Sequence, residues 1–301
     1  MSKIEAENMG AGAPLSPEAA LLPARPGKRA ARARLAEWAL IALVLLYATG
    51  LLIGPLIAIF LGALAEGVNG FIRVLSSLDA ISSLKLTMIL AVAATVINTV
   101  FGMCVAWVLV RDDFKGKRIV NGLVDLPFAV SPVIAGFMLI LLFGRNGWLT
   151  PVIDAVGIKV VFALPGMLLA TIFISLPFVI REVMPVLAQV SLDQENAAYT
   201  MGASRWQTFR RVTLPAIRWG LLYGVSLTFA RAVGEIGAVL VISGGVSRLT
   251  ETSTIFIFRS LDDRNYVGAN AMAVVLAAIS FIVLMGIEGL KKRTEKTELP
   301  R

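Results

Sequence analysis

The sequence predicts an all-α integral membrane protein with six transmembrane helices. Its mean hydropathy is +0.81, and only 16% of its 301 residues are charged, which argues against a soluble globular protein. Apolar runs of about 20 residues or more, the length that crosses a bilayer as a helix, recur along the chain. The predicted spans cover residues 36–63, 83–110, 120–143, 163–187, 216–243 and 269–290.

The two ends of the chain are predicted to be tails. Residues 1–34 are polar, contain proline and end in a basic cluster, so we expect them to be disordered. The first apolar run, residues 35–64, is too long for the core of a signal peptide and favours a true first span. The chain is therefore expected to hold one transmembrane domain over residues 35–291 and a second tail over residues 292–301.

Prolines predict irregular helices in the third and fourth spans. Proline is tolerated in a membrane helix where neighbouring groups satisfy the freed carbonyl oxygens, so we expect kinks within a packed bundle. The prolines in or near these spans are Pro127, Pro132, Pro165 and Pro177.

The lysines and arginines beside the spans predict the orientation of the chain. The first tail, the loop 111–118, the segment 181–218 and residues 291–301 lie on one side and hold 20 of the 28 basic residues, whereas the loops and span edge on the other side hold seven. Positive charge is in excess in the cytoplasmic loops of membrane proteins. We therefore expect both termini, and the segment 181–218, in the cytoplasm.

Composition excludes several kinds of site. The chain has no histidine and a single cysteine, Cys104, so it can form neither the usual zinc site nor an internal disulfide. An intramembrane enzyme would need a nucleophile with a base, and neither histidine nor a pair of aspartates lies in the spans. No Gly-x-x-x-x-Gly-Lys-Ser/Thr phosphate loop occurs. The net charge of +8 is attributed to cytoplasmic loops. We expect no metal, no bound cofactor and no nucleic acid.

The segment 191–215, between the fourth and fifth spans, carries signals for two short helices. Ser191 and Gln194 have the spacing of a capping box, in which each residue bonds the backbone of the other. Ser204 and Gln207 repeat that spacing. Each pair therefore predicts the start of a helix.

The ends of these two helices are also marked. Gly202 can take the left-handed backbone conformation that ends a helix. Leu214 precedes Pro215, and a residue before proline is biased away from the helical region. Since proline suits the first turn of a helix, the predicted order is helix, turn, helix, turn and then the fifth span.

Two interpretations of this segment remain open from physics alone. Its helices either pack on their own bundle or form a docking element that a second protein grips. Ala197, Ala198 and Met201 form a face of small residues that would let another surface approach. The second helix carries an apolar stripe made of Trp206, Phe209 and Val212.

The segment resembles the cytoplasmic loop of the permeases of type I ABC importers, in which Glu-Ala-Ala precedes a glycine and then Ile-x-Leu-Pro. Asn196 stands where the family has glutamate, and Glu195 lies one position earlier. The resemblance implies the six-helix permease fold and a loop that docks a cytoplasmic ATPase; we call residues 191–215 the coupling segment. The residues that it assigns to ATPase coupling are Asn196, Ala197, Ala198, Gly202, Leu214 and Pro215, with Val212 in place of isoleucine.

A narrower resemblance covers residues 80–245. "DLPFAVSPVIAG" (125–136) and "FRRVTLPAIRWGLLYGVSLTFARAVGEIGAVLVISG" (209–244) are similar to sulfate permease subunits of the CysW type, with thiosulfate and molybdate permeases close by. Residues 251–266 depart from these relatives. The resemblance implies import of sulfate, and it leaves thiosulfate and molybdate as alternatives.

The same resemblance implies a set of partners. ATP would be used by separate cytoplasmic ABC ATPase subunits, and a periplasmic or extracellular solute-binding protein would capture the anion. A sister permease would complete the pathway, in a heterodimer, which this branch favours, or in a homodimer. The implied location is the bacterial plasma (inner) membrane, where lipid surrounds the spans.

Arg231 and Glu235 are candidates for the translocation pathway. They lie four residues apart in the fifth span, and an ionisable residue inside a span marks a functional site by default. One alternative is a mutually neutralised pair that fixes helix packing. The other is that Arg231 faces the pathway and lowers the barrier for a dianion, while Glu235 prevents the anion from being trapped.

Two further classes of protein compete with the importer. A self-contained secondary transporter could also place Arg231 and Glu235 in a span, but it has no need of a docking segment. A scaffold for other membrane proteins has no sequence feature in its favour. Transport by the chain alone, without an ATPase, would identify the secondary transporter.

Overall fold

The computed structural model describes residues 28–298, and every regular element in that range is a helix. The predicted tails fall only partly inside it: residues 1–27 and 299–301 lie outside the described residues. Helix α1 begins at Lys28, so residues 28–34 are helical rather than disordered. The last helix continues to Glu298, through most of the predicted C-terminal tail.

The α-helices are α1 (Lys28–Ala63), α2 (Gly67–Leu75), α3 (Leu78–Arg111), α4 (Lys117–Ala129), α5 (Pro132–Phe143), α6 (Thr150–Val156), α7 (Leu164–Gln189), α8 (Leu192–Thr200), α9 (Arg205–Thr208), α10 (Leu214–Val233), α11 (Gly237–Ser243), α12 (Ser253–Asp262) and α13 (Tyr266–Glu298). A π-helical segment, Phe209–Thr213, joins α9 to α10.

The chain divides by its internal contacts into two units, between Leu56 and Ile57. The described part of the first unit is the N-terminal portion of α1, with Pro55 inside the helix. The second unit contains the remaining helices. All packing discussed below lies within the second unit.

The six predicted spans correspond to four long apolar helices and two broken pairs. The long helices are α1, α3, α7 and α13. In the third predicted span, α4 and α5 meet at 111°, and in the fifth, α10 and α11 meet at 51°. The six predicted spans are therefore present when each broken pair is counted as one span.

The break between α4 and α5 follows from Pro132. Proline has no N–H, fits the first turn of a helix and pushes the preceding residue to an extended backbone. Val130 and Ser131 are both extended, with ψ of 131° and 136°, and α5 begins at Pro132. By contrast, α7 continues through Pro177 as one helix. The predicted irregularity is therefore a sharp bend in the third span, whereas the fourth remains a single helix.

The centre of the second unit is formed by α3, α7 and α10. Small residues of α3 and α7 allow the helices to approach, and branched side chains fill the space between them. One buried cluster consists of Ala106, Leu109, Val124, Val179, Ile180, Val183, Leu187 and Ile217. A second, which adds α5 and α11, consists of Leu90, Ala135, Met167, Ala170, Ile174, Ala238, Val239, Ile242 and Ile255.

Two polar contacts orient the helices within this apolar packing. Asn98 of α3 donates from Nδ2 to the Ser175 hydroxyl at 2.9 Å and to the backbone oxygen of Ile172 at 3.1 Å. Arg181 of α7 makes a two-pronged ion pair with Asp125 of α4, at 2.7 and 2.5 Å. The second contact fixes the short helix α4 to the bundle despite the sharp bend that follows it.

The bend brings α5 close to α11 at Gly136. A Cβ atom at this position would lie 2.6 Å from the carbonyl oxygen of Ala238 and 3.0 Å from Cβ of Val241. No side chain fits at these distances unless the helices separate. Glycine at position 136 is thus a requirement of this helix pair.

We predict that Gly136→Val lowers the stability of the purified protein by about 1–3 kcal/mol, the usual range for overpacking a filled core. Thermal denaturation in detergent measures the change. Gly122→Ala in α4 is the matched control, because a Cβ atom there would meet nothing within 4 Å. Equal melting temperatures for the Gly136→Val variant and the wild type would contradict the close approach.

Candidate functional site

The coupling segment folds as two short helices, as predicted. Helix α8 begins after Ser191, whose hydroxyl oxygen accepts from the backbone N–H of Asp193 at 3.1 Å. The predicted reciprocal bond from Gln194 does not form; its own backbone N–H donates to the Ser191 carbonyl oxygen at 3.3 Å. Ser191 is therefore an N-cap without a capping box.

The second predicted capping box is present in full. The Ser204 hydroxyl accepts from the backbone N–H of Gln207 at 3.3 Å, and the Gln207 side chain accepts from the backbone N–H of Ser204 at 2.8 Å. Gly202 has φ of +86°, the left-handed conformation that the sequence predicts. These two features place α9 directly after α8.

The predicted turn before Pro215 was wrong. The chain runs from α9 through the π-helical segment into α10 without a break, and Leu214 is helical, with φ of −60° and ψ of −43°. The backbone N–H of Leu214 bonds the carbonyl oxygen of Phe209, five residues back. Because Pro215 has no N–H and its ring would crowd the carbonyl four residues back, the wider π turn accommodates it.

Helix α8 presents an exposed face and a buried one. Asn196 and Ala197 of α8 are exposed, and so is Met201, which directly follows the helix and is 82% exposed. Ala198, which the sequence places on the same face as Ala197 and Met201, is instead buried with Glu195. The expected single face of small residues is therefore split between the two sides of α8.

Glu195 is the main residue of this region that the sequence did not assign to a site. Its carboxylate oxygen Oε1 lies 2.8 Å from Nη2 of Arg111, at the end of α3, and accepts from the Thr213 hydroxyl at 3.0 Å. Arg111 also donates to the backbone oxygen of Val190, at the end of α7, at 3.1 Å. No local sequence signal marks this contact, because Arg111 lies 84 residues before Glu195.

The apolar stripe that follows α8 packs partly on the bundle. The Trp206 ring stacks on Phe209 with centroids 5.5 Å apart, and Phe209 meets the edge of Trp107 of α3 at 5.7 Å. Trp206 remains 67% exposed. An open groove of about 620 Å³ runs beside these rings. Leu214 is half-buried and Pro215 is exposed, so only part of the segment is covered by its own chain.

Arg231 and Glu235 form the ion pair that the sequence allows. Nη1 of Arg231 lies 2.6 Å from Oε2 of Glu235, whose side chain is 2% exposed, against 29% for Arg231. The other carboxylate oxygen accepts from the backbone N–H of Ala238 at 2.9 Å, and the Thr254 hydroxyl donates to the Glu235 carbonyl oxygen at 2.7 Å. Glu235 therefore holds the break between α10 and α11, and Arg231 neutralises its charge.

Comparison with known proteins identifies the family to which the chain belongs. Residues 98–296 match the family described as the inner membrane component of binding-protein-dependent transport systems. The match covers more than half of the chain. The chain belongs to this family.

Two relatives come from one organism, Synechocystis sp. The chain is 48% identical over 260 residues to the sulfate transport system permease protein CysW of this organism. The aligned residues cover 86% of this chain and 94% of that protein. It is 37% identical over 248 residues to the sulfate transport system permease protein CysT, covering 82% and 87%. The crystal structure of a bacterial alginate ABC transporter shares the fold, with a TM-score of 0.73, 16% identity and coverage of 90% and 98%.

Membership in the family confirms two predictions. The fold is that of a type I ABC importer permease, and the chain is a transport subunit rather than an enzyme. Within residues 28–298, no group of three or more histidine, cysteine, aspartate or glutamate side chains could hold a metal ion.

The loop between α11 and α12 holds a buried carboxylate, Glu251, beside partly exposed charges. The side chain of Glu251 is fully buried, and Oε2 lies 3.1 Å from Nη1 of Arg259. Arg248 pairs with Asp79, the first acidic residue of α3, at 2.6 Å. Burial raises the pKa of Glu251 above its ordinary value, although the guanidinium of Arg259 opposes the shift.

The raised pKa of Glu251 predicts that the effect of Glu251→Gln on protein stability depends on pH. Below the ordinary pKa both proteins carry a neutral side chain, whereas above the raised pKa only the wild type keeps a charge in a buried position. The melting temperature of the variant relative to the wild type should therefore rise as the pH is raised above the ordinary pKa of a glutamate. Asp262→Asn, at an exposed carboxylate, is the control. A difference that stays constant with pH would contradict the burial of a charge at Glu251.

Proposed function

We propose that this permease translocates sulfate into the cytoplasm as the membrane subunit of an ATP-driven importer. The observation that carries the proposal is the 48% identity to a sulfate permease CysW over 94% of that protein. Thiosulfate and molybdate are the competing substrates. The location proposed with it is the bacterial inner membrane, with both termini and the coupling segment on the cytoplasmic side.

The coupling segment is proposed to dock a cytoplasmic ATPase subunit, which uses the ATP. Its exposed residues supply the contact surface, namely Asn196, Ala197, Gly202 and Pro215. Ala198 and Leu214 lie on the inner side, where their packing supports that surface. Since Asn196 is uncharged, the contact at this position is a hydrogen bond rather than the ion pair that a glutamate would make.

The remaining partners follow from the organisation of the relatives. Synechocystis has both CysW and CysT as sulfate transport system permease proteins, which supports a heterodimer with a sister permease rather than a homodimer. The family description names a binding-protein-dependent system, so a solute-binding protein delivers the anion at the outer face. The chain itself is proposed to bind no cofactor and no nucleic acid.

The mechanism proposed for transport uses α10 as the connecting element. Its 20 residues span about 30 Å, from Thr213 and the coupling segment at one end to Arg231 and Glu235 at the other. Movement of the docked ATPase would displace this end of α10 and change the environment of Arg231. A dianion in the pathway would be attracted by Arg231, and Glu235 would limit the attraction so that the anion is released.

Reconstitution tests the proposed function. We predict that proteoliposomes holding the permease, its sister subunit and the ATPase, supplied with the binding protein, accumulate labelled sulfate only with ATP. Excess unlabelled thiosulfate or molybdate in parallel samples measures the selection among oxyanions. Sulfate transport by this chain alone, without ATP or the ATPase, would contradict the proposal and identify a secondary transporter.

A double variant separates the two roles of Arg231. Removing one partner of a buried ion pair costs about 3–5 kcal/mol, so Arg231→Ala alone confounds stability with transport. In Arg231→Ala/Glu235→Gln the amide oxygen at position 235 still accepts from Ala238, and no charge is left unpaired. We predict that this variant assembles normally but takes up sulfate at least tenfold more slowly. Wild-type uptake by the double variant would show that the pair serves packing alone.

A further inference from the structure

Glu195 and Arg111 form a buried connection between the coupling segment and the bundle. The residue Glu195 is 4% exposed, and the side chain of Arg111 is 10% exposed. A buried carboxylate is stable only when it is paired and hydrogen-bonded, and Glu195 meets both conditions through Arg111 and Thr213. We call this group of contacts the Glu195 anchor: Glu195, Arg111, Thr213 and the backbone oxygen of Val190.

The Glu195 anchor joins four elements at one point. Glu195 lies in the first turn of α8, and Arg111 is the last residue of α3. Val190 directly follows α7, and Thr213 ends the π-helical segment that leads into α10. The three helices that receive these contacts are the ones at the centre of the bundle.

Apolar packing gives α8 little support of its own. The helix has nine residues, and a helix of this length is marginal in water without tertiary contacts. Ala198 is its one buried apolar residue, and an alanine side chain covers little surface. The position of α8 relative to the bundle is therefore set largely by the directional contacts of Glu195.

We propose that Glu195 is a positioning residue that transmits movement of the docked coupling segment to α3, α7 and α10. The inference rests on the proposed function, in which an ATPase moves this segment. Because the ion pair is buried, its attraction is weakly screened, and sliding α8 away from Arg111 would leave two uncompensated charges. The spans therefore move with α8.

The same geometry distinguishes Glu195 from the exposed residues of the segment. Asn196 and Ala197 face outward, where they are placed to contact the ATPase, whereas Glu195 faces the permease. Loss of an exposed contact would weaken ATPase binding. Loss of Glu195 would leave binding intact and disconnect it from the spans.

Transport per ATP in the reconstituted complex tests this inference. Glu195→Ala removes the carboxylate, Glu195→Gln keeps an acceptor without charge, and Asp193→Asn removes an exposed charge from the same helical turn as a control. We expect Glu195→Ala to co-purify with the ATPase and hydrolyse ATP, while the sulfate imported per ATP falls at least tenfold. Glu195→Gln should show a smaller loss, and Asp193→Asn none.

A wild-type ratio of sulfate to ATP in Glu195→Ala would overturn the inference. So would a fall in ATPase binding, hydrolysis and uptake in equal proportion, since that indicates a structural role alone. If Glu195→Ala fails to assemble, the sulfate imported per ATP by Glu195→Gln is measured instead. A wild-type value in that variant would also overturn the inference.

Hydrogen exchange provides a readout that does not depend on the substrate. We expect ATP with vanadate to change amide exchange in both α8 and residues 105–111 of the wild type, but only in α8 of Glu195→Ala. The same response in both proteins would overturn the inference. Absence of sulfate uptake by the wild type would instead count against the proposed function, and the exchange measurement would still decide the role of Glu195.

Discussion

The arrangement of the coupling segment depends on one buried carboxylate. Glu195 accepts from Arg111 and Thr213, while Arg111 also reaches the end of α7, so the contacts of four elements converge on a single ion pair. The helices of the segment are too short to be held by their apolar surface. Without this pair, the exposed face of α8 would have no fixed position relative to the spans.

A second ion pair has a similar place at the other end of α10. Glu235 accepts from the first turn of α11 and is neutralised by Arg231, so it holds the chain where the fifth span breaks. Both carboxylates are buried, and both stabilise a junction between helices rather than the middle of one. A continuous helix, α10, lies between them, which gives the proposed coupling a direct physical route.

The positions of the helices could be predicted from the sequence better than the angles between them. Apolar length identified every span, and Gly202 and the Ser204–Gln207 pair marked local structure correctly because their effects depend on a few neighbouring residues. Pro132 marked the irregularity in the third span but not its angle of 111°, because hydropathy does not distinguish a kink within a helix from the start of a new one. The turn expected at Pro215 was wrong because a π-helical segment absorbs the missing hydrogen bond. Glu195 was overlooked for a different reason: its partner Arg111 lies 84 residues away, and pairing at that distance is set by tertiary packing.

In the proposed importer, the exposed side of the coupling segment contacts the ATPase. A photocrosslinker attached at Met201→Cys, in a Cys104→Ser background, tests this contact directly, since Met201 directly follows α8 and is 82% exposed. Trp148→Cys, at an 89% exposed site in the loop before α6, is the control. We expect crosslinks to the ATPase from position 201, with a yield that changes on addition of ATP, and none from position 148. No crosslink from position 201, or equal yields from both positions, would contradict it.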